Sequence, residues 1–223
     1  MYKLHVQFED WHEVAEWCDD LLSVPPSYVD KVNSRLYPKD AFTLGQVSSK
    51  AWMISQLTVM DLPKPQVIAI LGCWIGSAVP YLTQFCSERI YGIDQDAHSV
   101  ELSEQFNQQL VQDSWRYKGV VADVNSLNIS DMQFETGGEL ITVSPDWIIN
   151  TSCEHMSTDW FHSCHSEQLI IMQTNDSEQY EGHINTCNSV QQMQDKYPLA
   201  NTLFLGSVKT PAYTRMMQIG YKH

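Results

Sequence analysis

From residue 66 to residue 96 the chain reads QVIAILGCWIGSAVPYLTQFCSERIYGIDQD. Val67–Leu71 is wholly apolar, as a strand buried on both faces of a parallel sheet must be. A glycine turn from Gly72 to Gly76 leads into a segment, Ser77–Phe85, that reads as a helix. A second strand, Arg89–Ile93, runs into Asp94, which is 94 − 72 = 22 residues after the first glycine. Strand, glycine turn, helix, strand and acid in this order are what a dinucleotide-type site requires. The glycines let backbone approach a ligand, and an acid at the end of the second strand accepts hydrogen bonds from ribose hydroxyls. The NAD fingerprint places glycines at its first, third and sixth positions. Here those positions hold Gly72, Trp74 and Ser77, so the nicotinamide pattern is not met.

The rest of the chain continues the alternation. Ala97–Leu110 is amphipathic and follows a capping residue, Asp96. Lys118–Ala122, Trp147–Asn150 and Leu169–Met172 read as strands, Ser189–Lys196 as a helix, and Thr202–Leu205 and Arg215–Ile219 as two closing strands. This pattern predicts an α/β fold, a parallel sheet with helices on both faces. The last two strands are joined by SVKTPAY, too short for a parallel crossover, so they are antiparallel neighbours or stand one position apart. Upstream, residues 1–62 form a helical extension, and residues 63–223 the sheet domain. Within the extension, Asp10 caps a helix to Leu22 that carries Trp11, Val14, Ala15 and Cys18 on one stripe. A short helix near Tyr28–Leu36 and a stronger one over Gln46–Met60 follow, before Pro63 and Pro65.

Composition narrows the partners. Lys plus Arg is 13 and Asp plus Glu is 27, a formal charge of −14, and the basic residues are scattered singly. An electrostatic grip on nucleic acid needs a basic patch, so no nucleic-acid footprint is present. No apolar run has the length of a membrane span. The start, MYKLHVQFEDWHEV, lacks the features of a signal peptide, and the six cysteines form no CxxC pair. Together these predict a cytoplasmic protein with free thiols.

The Gly72–Gly76 turn resembles motif I of the class I S-adenosylmethionine-dependent methyltransferases, a loop of the type E/D-x-G-x-G-x-G. Gly72 and Gly76 match it, Trp74 replaces the middle glycine, and Ile70 replaces the acid. GQVSSKAWM, GCWIGS, INTSCEHM and QTNDSEQYEGHIN together look like a methyltransferase-like group often carried by tailed bacteriophages, for which the compartment would be the host cytoplasm. The resemblance implies a Rossmann-like αβα sandwich with a mostly parallel seven-stranded sheet and an antiparallel late strand. It implies S-adenosyl-L-methionine as cofactor and methyl transfer to a small-molecule or unidentified acceptor. Gly72, Cys73, Trp74 and Gly76 would then meet the methionine end and Asp94, with Gln95 beside it, the ribose. Asp123 and Val124 would meet the adenine, Asn150 and Thr151 would line the loop after the fourth strand, and Lys50 would pair with the methionine carboxylate.

Glu154, His155 and His183 are candidate general bases for the acceptor. Each has a structural alternative: Glu154 opening a helix, His155 packing against Trp160, His183 hydrogen-bonding a loop. Methyl transfer gains most from alignment of nucleophile, methyl and sulfur, so a base is not obligatory. Cys153, His155, His162, Cys164 and His165 have spacings unlike those of a structural zinc site, and no metal is expected from them. Neither the DPPY/NPPY signature of base amino-methylation nor a Pro-Cys nucleophile is present. The same fold also serves aminocarboxypropyl transfer, cofactor cleavage and binding without turnover, and fold alone does not choose among them.

Overall fold

A computed structural model of the chain describes residue 31, residues 34–210 and residues 212–222. The expected helix from Asp10 to Leu22, and most of the one near Tyr28–Leu36, lie outside the described residues.

The alternating apolar runs form the strands β1 (Val67–Leu71), β2 (Arg89–Asp94), β3 (Tyr117–Val121), β6 (Trp147–Asn150), β7 (Leu169–Asn175), β8 (Asn201–Lys209) and β9 (Thr214–Tyr221). They make one seven-stranded sheet in the order β3-β2-β1-β6-β7-β9-β8. All neighbours are parallel except β9, which runs antiparallel to both β7 and β8. This is the Rossmann-like sandwich expected, and the closing strands are adjacent and antiparallel.

Successive residues of a strand face opposite sides, and the sheet has a core on each. Ile68, Ile70, Ile90, Ile149 and Ile171 point into one; Ala69, Leu71, Ile93, Ile148 and Ile170 point into the other. The first core is covered by helix α1 (Leu44–Val59), whose Val47, Met53, Ile54 and Leu57 are buried in it at helical spacing. Between β1 and β2 lies α2 (Val79–Leu82); α3 (Ala97–Phe106) and α4 (Gln108–Gln112) follow β2, α5 (Asp159–His162) precedes β7, and α6 (Val190–Lys196) precedes β8.

Three elements differ from the sequence expectation. The helix expected over Ser77–Phe85 is only α2. Past Pro80, Thr83 Oγ1 donates to the Pro80 carbonyl at 2.7 Å and Gln84 Nε2 to the Tyr81 carbonyl at 2.9 Å, so side chains take acceptors that a longer helix would use. The helix expected over Ala97–Leu110 starts on its Asp96 cap, which accepts from the amides of His98 and Ser99, but divides into α3 and α4 at Asn107. The Asn107 side-chain Nδ2 donates to the carbonyls of Gly76 (3.1 Å) and Ser103 (2.9 Å), tying the helix to the glycine turn. Between β3 and β6 an unforeseen hairpin, β4 (Met132–Thr136) and β5 (Glu139–Val143), turns on Gly137 and Gly138, both at positive φ as a two-residue hairpin loop demands.

Register sets where ligands enter. Leu71 pairs with Ile93 and with Asn150, and Asp94 pairs with Val121. The carboxyl ends of β1, β2, β3 and β6 are therefore level, and the strand order reverses between β1 and β6. Open α/β sheets bind ligands outside such ends, at this switch point.

Candidate functional site

A cavity of about 850 Å³ opens there. Gly72, Cys73 and Trp74 line it beneath the end of β1, Asp94 and Gln95 at the end of β2, and Asp123, Val124 and Asn125 after β3. Gly45, Gln46 and Lys50 on the first turns of α1 close one side, and Thr151, Ser152, Glu154, His155, Met156 and His183 line the cavity after β6 and β7. Segments far apart in sequence are brought together by the parallel register.

Asp94 is fixed by the backbone amides of two neighbouring turns. Its Oδ2 accepts the Trp74 amide at 2.9 Å and its Oδ1 the Asp96 amide at 3.1 Å. A carboxylate accepts about four hydrogen bonds, so both oxygens keep capacity toward the cavity. Trp74 has φ 48°, a left-handed conformation that disfavours side chains. Its bond to Asp94 holds that conformation, and its indole both packs on the first core and lines the cavity wall. Asp123 accepts from the amide and side chain of Asn125 at 2.9 and 3.2 Å, forming a turn, with Val124 buried beside it. The Cys73 thiol is pushed up to about 12 by burial, reinforced by the charge of Asp94.

Gly76 does not line the cavity. A side chain there would begin 2.7 Å from Asn107 Nδ2, so this glycine serves the packing of turn against helix. Asn150 is likewise turned inward and fully buried; its Oδ1 accepts the Ser152 amide at 2.9 Å, which shapes the loop that follows. Thr151 and Ser152 of that loop do face the cavity. Lys50 is nearly buried and donates to Gln46 Oε1 at 2.9 Å.

Glu154 and His155 share a short 3₁₀ turn, Cys153–His155. Glu154 is 3% exposed and pairs at 2.8 Å with Arg215, itself 2% exposed. Glu154 Oε1 also accepts from Asn175 Nδ2 at 2.6 Å. His155 does not rest on Trp160: its ring meets His183 edge-on, centroids 4.5 Å apart. His183 Nδ1 lies 2.5 Å from the Ser177 carbonyl, which can only accept, so Nδ1 carries the proton. Burial lowers the proton affinity of His155, against the charge of Glu154, which raises it. All three candidate bases therefore meet at one end of the cavity. The cysteines near them do not join: the thiols of Cys153 and Cys164 are buried and donate to the Asn150 and Trp160 carbonyls at 3.6 and 3.4 Å.

Sequence reading missed Arg215 and Tyr213. The antiparallel β9 starts where β7 ends, and the pairing of Asn175 with Arg215 brings this arginine level with the loop after β7. Its signal was a charged residue near the start of a mostly apolar strand. Tyr213 reaches α1, where a side chain at Gly45 would meet its Oη at 2.8 Å.

No family model and no curated protein matches this chain. Solved structures do. It is similar to the N-methyltransferase NodS from Bradyrhizobium japonicum WM9 in complex with S-adenosyl-L-homocysteine, at 8% identity and a TM-score of 0.57, covering 94% of this chain and 98% of that one. It is similar to a geranyl diphosphate methyltransferase in complex with SAM (12% identity, TM-score 0.55, 79% and 85% covered). It is also similar to the pyocyanin biosynthetic protein PhzM (12% identity, TM-score 0.57, 96% and 70% covered). At these identities the likeness establishes a shared fold. Among the described residues, no helix is long and apolar enough to cross a membrane.

Proposed function

We propose that this chain is an S-adenosyl-L-methionine-dependent methyltransferase, with the cofactor laid along Gly72–Trp74, Asp94 and Asp123–Val124. The observation that carries the proposal is the carboxylate of Asp94, anchored by the Trp74 amide and left with acceptor capacity at the switch point. The wall chemistry fits the cofactor. Asp40, Asp94, Asp123 and Glu154 face Lys50 and Arg215, an excess of acids that suits a ligand carrying a sulfonium and an ammonium. The indole of Trp74 supplies an apolar wall where motif I usually has glycine, and Lys50 is the nearby cation for a carboxylate. Structural neighbours include complexes with S-adenosyl-L-homocysteine and SAM, which supports the assignment at the level of fold.

When bound, the cofactor supplies a methyl group already activated by its sulfonium. The chain's part is alignment and exclusion of water, in which an effective concentration gain substitutes for chemistry by side chains. Glu154, His155 and His183 stand at the far end of the cavity, where an acceptor would lie. They are the groups available to receive or relay its proton. Arg215 and Asn175 occupy Glu154 Oε1, so the carboxylate is held in place rather than free to swing.

Two measurements test this reading. Asp94→Asn keeps the shape of the side chain and removes its charge; it should weaken cofactor binding at least tenfold while the fold persists. Mass spectrometry of the spent cofactor separates methyl transfer, which leaves S-adenosylhomocysteine, from aminocarboxypropyl transfer, which leaves methylthioadenosine. Trp74 at positive φ favours one second reading, a site that binds the cofactor without turnover. Trp74→Gly distinguishes them: binding that collapses makes the indole part of the pocket, and binding that improves with new activity makes the natural site a degraded one.

A further inference from the structure

We infer that Glu154, His155 and His183 form a binding site for one divalent transition-metal ion at the acceptor end of the cavity. A carboxylate oxygen and one nitrogen from each imidazole lie within 4.8 Å of one another. Bonds from such an ion to nitrogen or oxygen are about 2.0–2.2 Å, so donors at tetrahedral angles around it are about 3.4 Å apart. An approach of up to about 1.4 Å between donors, shared by two side chains, closes the set.

Two further observations point to a ligand here. Glu154 is almost wholly buried, and while Oε1 is taken by Arg215 and Asn175, Oε2 has no hydrogen-bond partner among the described residues. A buried acceptor left unpaired is destabilising, and a cation at Oε2 would remove that cost. Second, the Nδ1–H of His183 donates to the Ser177 carbonyl, which leaves the Nε2 lone pair as the free one. Metal-binding histidines are oriented in just this manner, one ring nitrogen tied to a carbonyl and the other on the ion.

The donor set selects the ion. Two imidazoles and one carboxylate suit zinc, iron, cobalt or nickel better than magnesium or calcium, which prefer all-oxygen shells. Arg215 already offsets the charge of Glu154, which further disfavours a hard cation held by charge alone. Three protein donors leave positions open, the pattern of a catalytic rather than a structural site.

Its use rests on the methyltransferase reading. With the ion bound, Glu154, His155 and His183 hold it in place of taking the acceptor's proton themselves: an acceptor hydroxyl at an open position has its pKa lowered and releases its proton to water through the cavity mouth. The oxygen then forms a bond to the cofactor's methyl carbon as the methyl–sulfur bond breaks, and the electron pair leaves on the neutral thioether. The acceptor class would be a hydroxyl compound with a second oxygen donor able to chelate.

The test uses the full chain, stripped with a chelator, titrated with Co²⁺ by visible absorption and with Zn²⁺ by calorimetry, without cofactor. One equivalent should bind, and His155→Ala and His183→Ala should each weaken it at least tenfold. His162→Ala and His165→Ala, at exposed positions towards the opposite end of β7, should leave it unchanged. His155 and His183 lie outside the helices and strands of the sandwich, and circular dichroism verifies that each variant is folded. Absence of binding to the folded chain, or binding indifferent to His155 and His183, overturns the site. S-adenosylmethionine titrated separately keeps the two ideas apart: cofactor binding without metal binding removes the site alone, and metal binding without cofactor binding removes the function alone.

Discussion

The Glu154–Arg215 pair gives the sharpest energetic prediction. Its charges lie 2.8 Å apart with both side chains almost fully buried, and Asn175 completes the shell of Oε1. Glu154→Gln keeps the volume and an amide oxygen for Asn175, so the change isolates the charge. The guanidinium is then buried without a counter-ion, which costs about 3–5 kcal/mol. Against a typical folding stability of about 5–15 kcal/mol this is a large fraction. At about 2–4 °C per kcal/mol for a chain of this size, the melting temperature should fall by about 6–20 °C. Urea denaturation followed by circular dichroism measures the free energy directly. Adding Arg215→Met removes the orphaned charge, and the double variant should regain most of the loss, because a buried pair replaced by apolar groups is often neutral. A Glu154→Gln chain within about 1 kcal/mol of the parent would refute the reasoning, as would a double variant no more stable than the single one.

Other outcomes follow from the same geometry. Gly76→Ala should destabilise the chain by about 2 kcal/mol or more in the same urea assay, because Gly76 sits at φ +67° and a Cβ would begin 2.7 Å from Asn107 Nδ2. In a Cys18→Ser background, thiol reagents at pH 8 should find Cys73 and Cys164 unreactive until the chain unfolds. Burial pushes both up to about 12, which reduces the thiolate fraction about a thousandfold from that of an ordinary cysteine. The reaction should accelerate as pH rises, since the thiolate is the reactive form.

What the sequence disclosed, and what it withheld, divides along range of interaction. Val67–Leu71, the glycine turn and Asp94 were legible because buried parallel strands are apolar throughout and turn glycines are local features. The break at Asn107 was not, since its cause is a hydrogen bond to Gly76, 31 positions away. The β4–β5 hairpin carried a Gly-Gly signal, but its short strands bury only one face, through Met132 and Val143, and so lack a continuous apolar run. Arg215 escaped notice because its place depends on the antiparallel direction of β9. For the same reason the meeting of Glu154 with Arg215 lay beyond a reading of spacing alone. Gly76 and Asn150 stood out as binding residues on local grounds, yet the fold turns both to packing and loop shape.

Isothermal titration of S-adenosylmethionine and S-adenosylhomocysteine into the purified chain tests the proposed cofactor most directly. Binding in the micromolar range, about −8 kcal/mol, is predicted for the parent, with Asp94→Asn at least tenfold weaker. No binding of either compound to a chain shown by circular dichroism to be folded would contradict it.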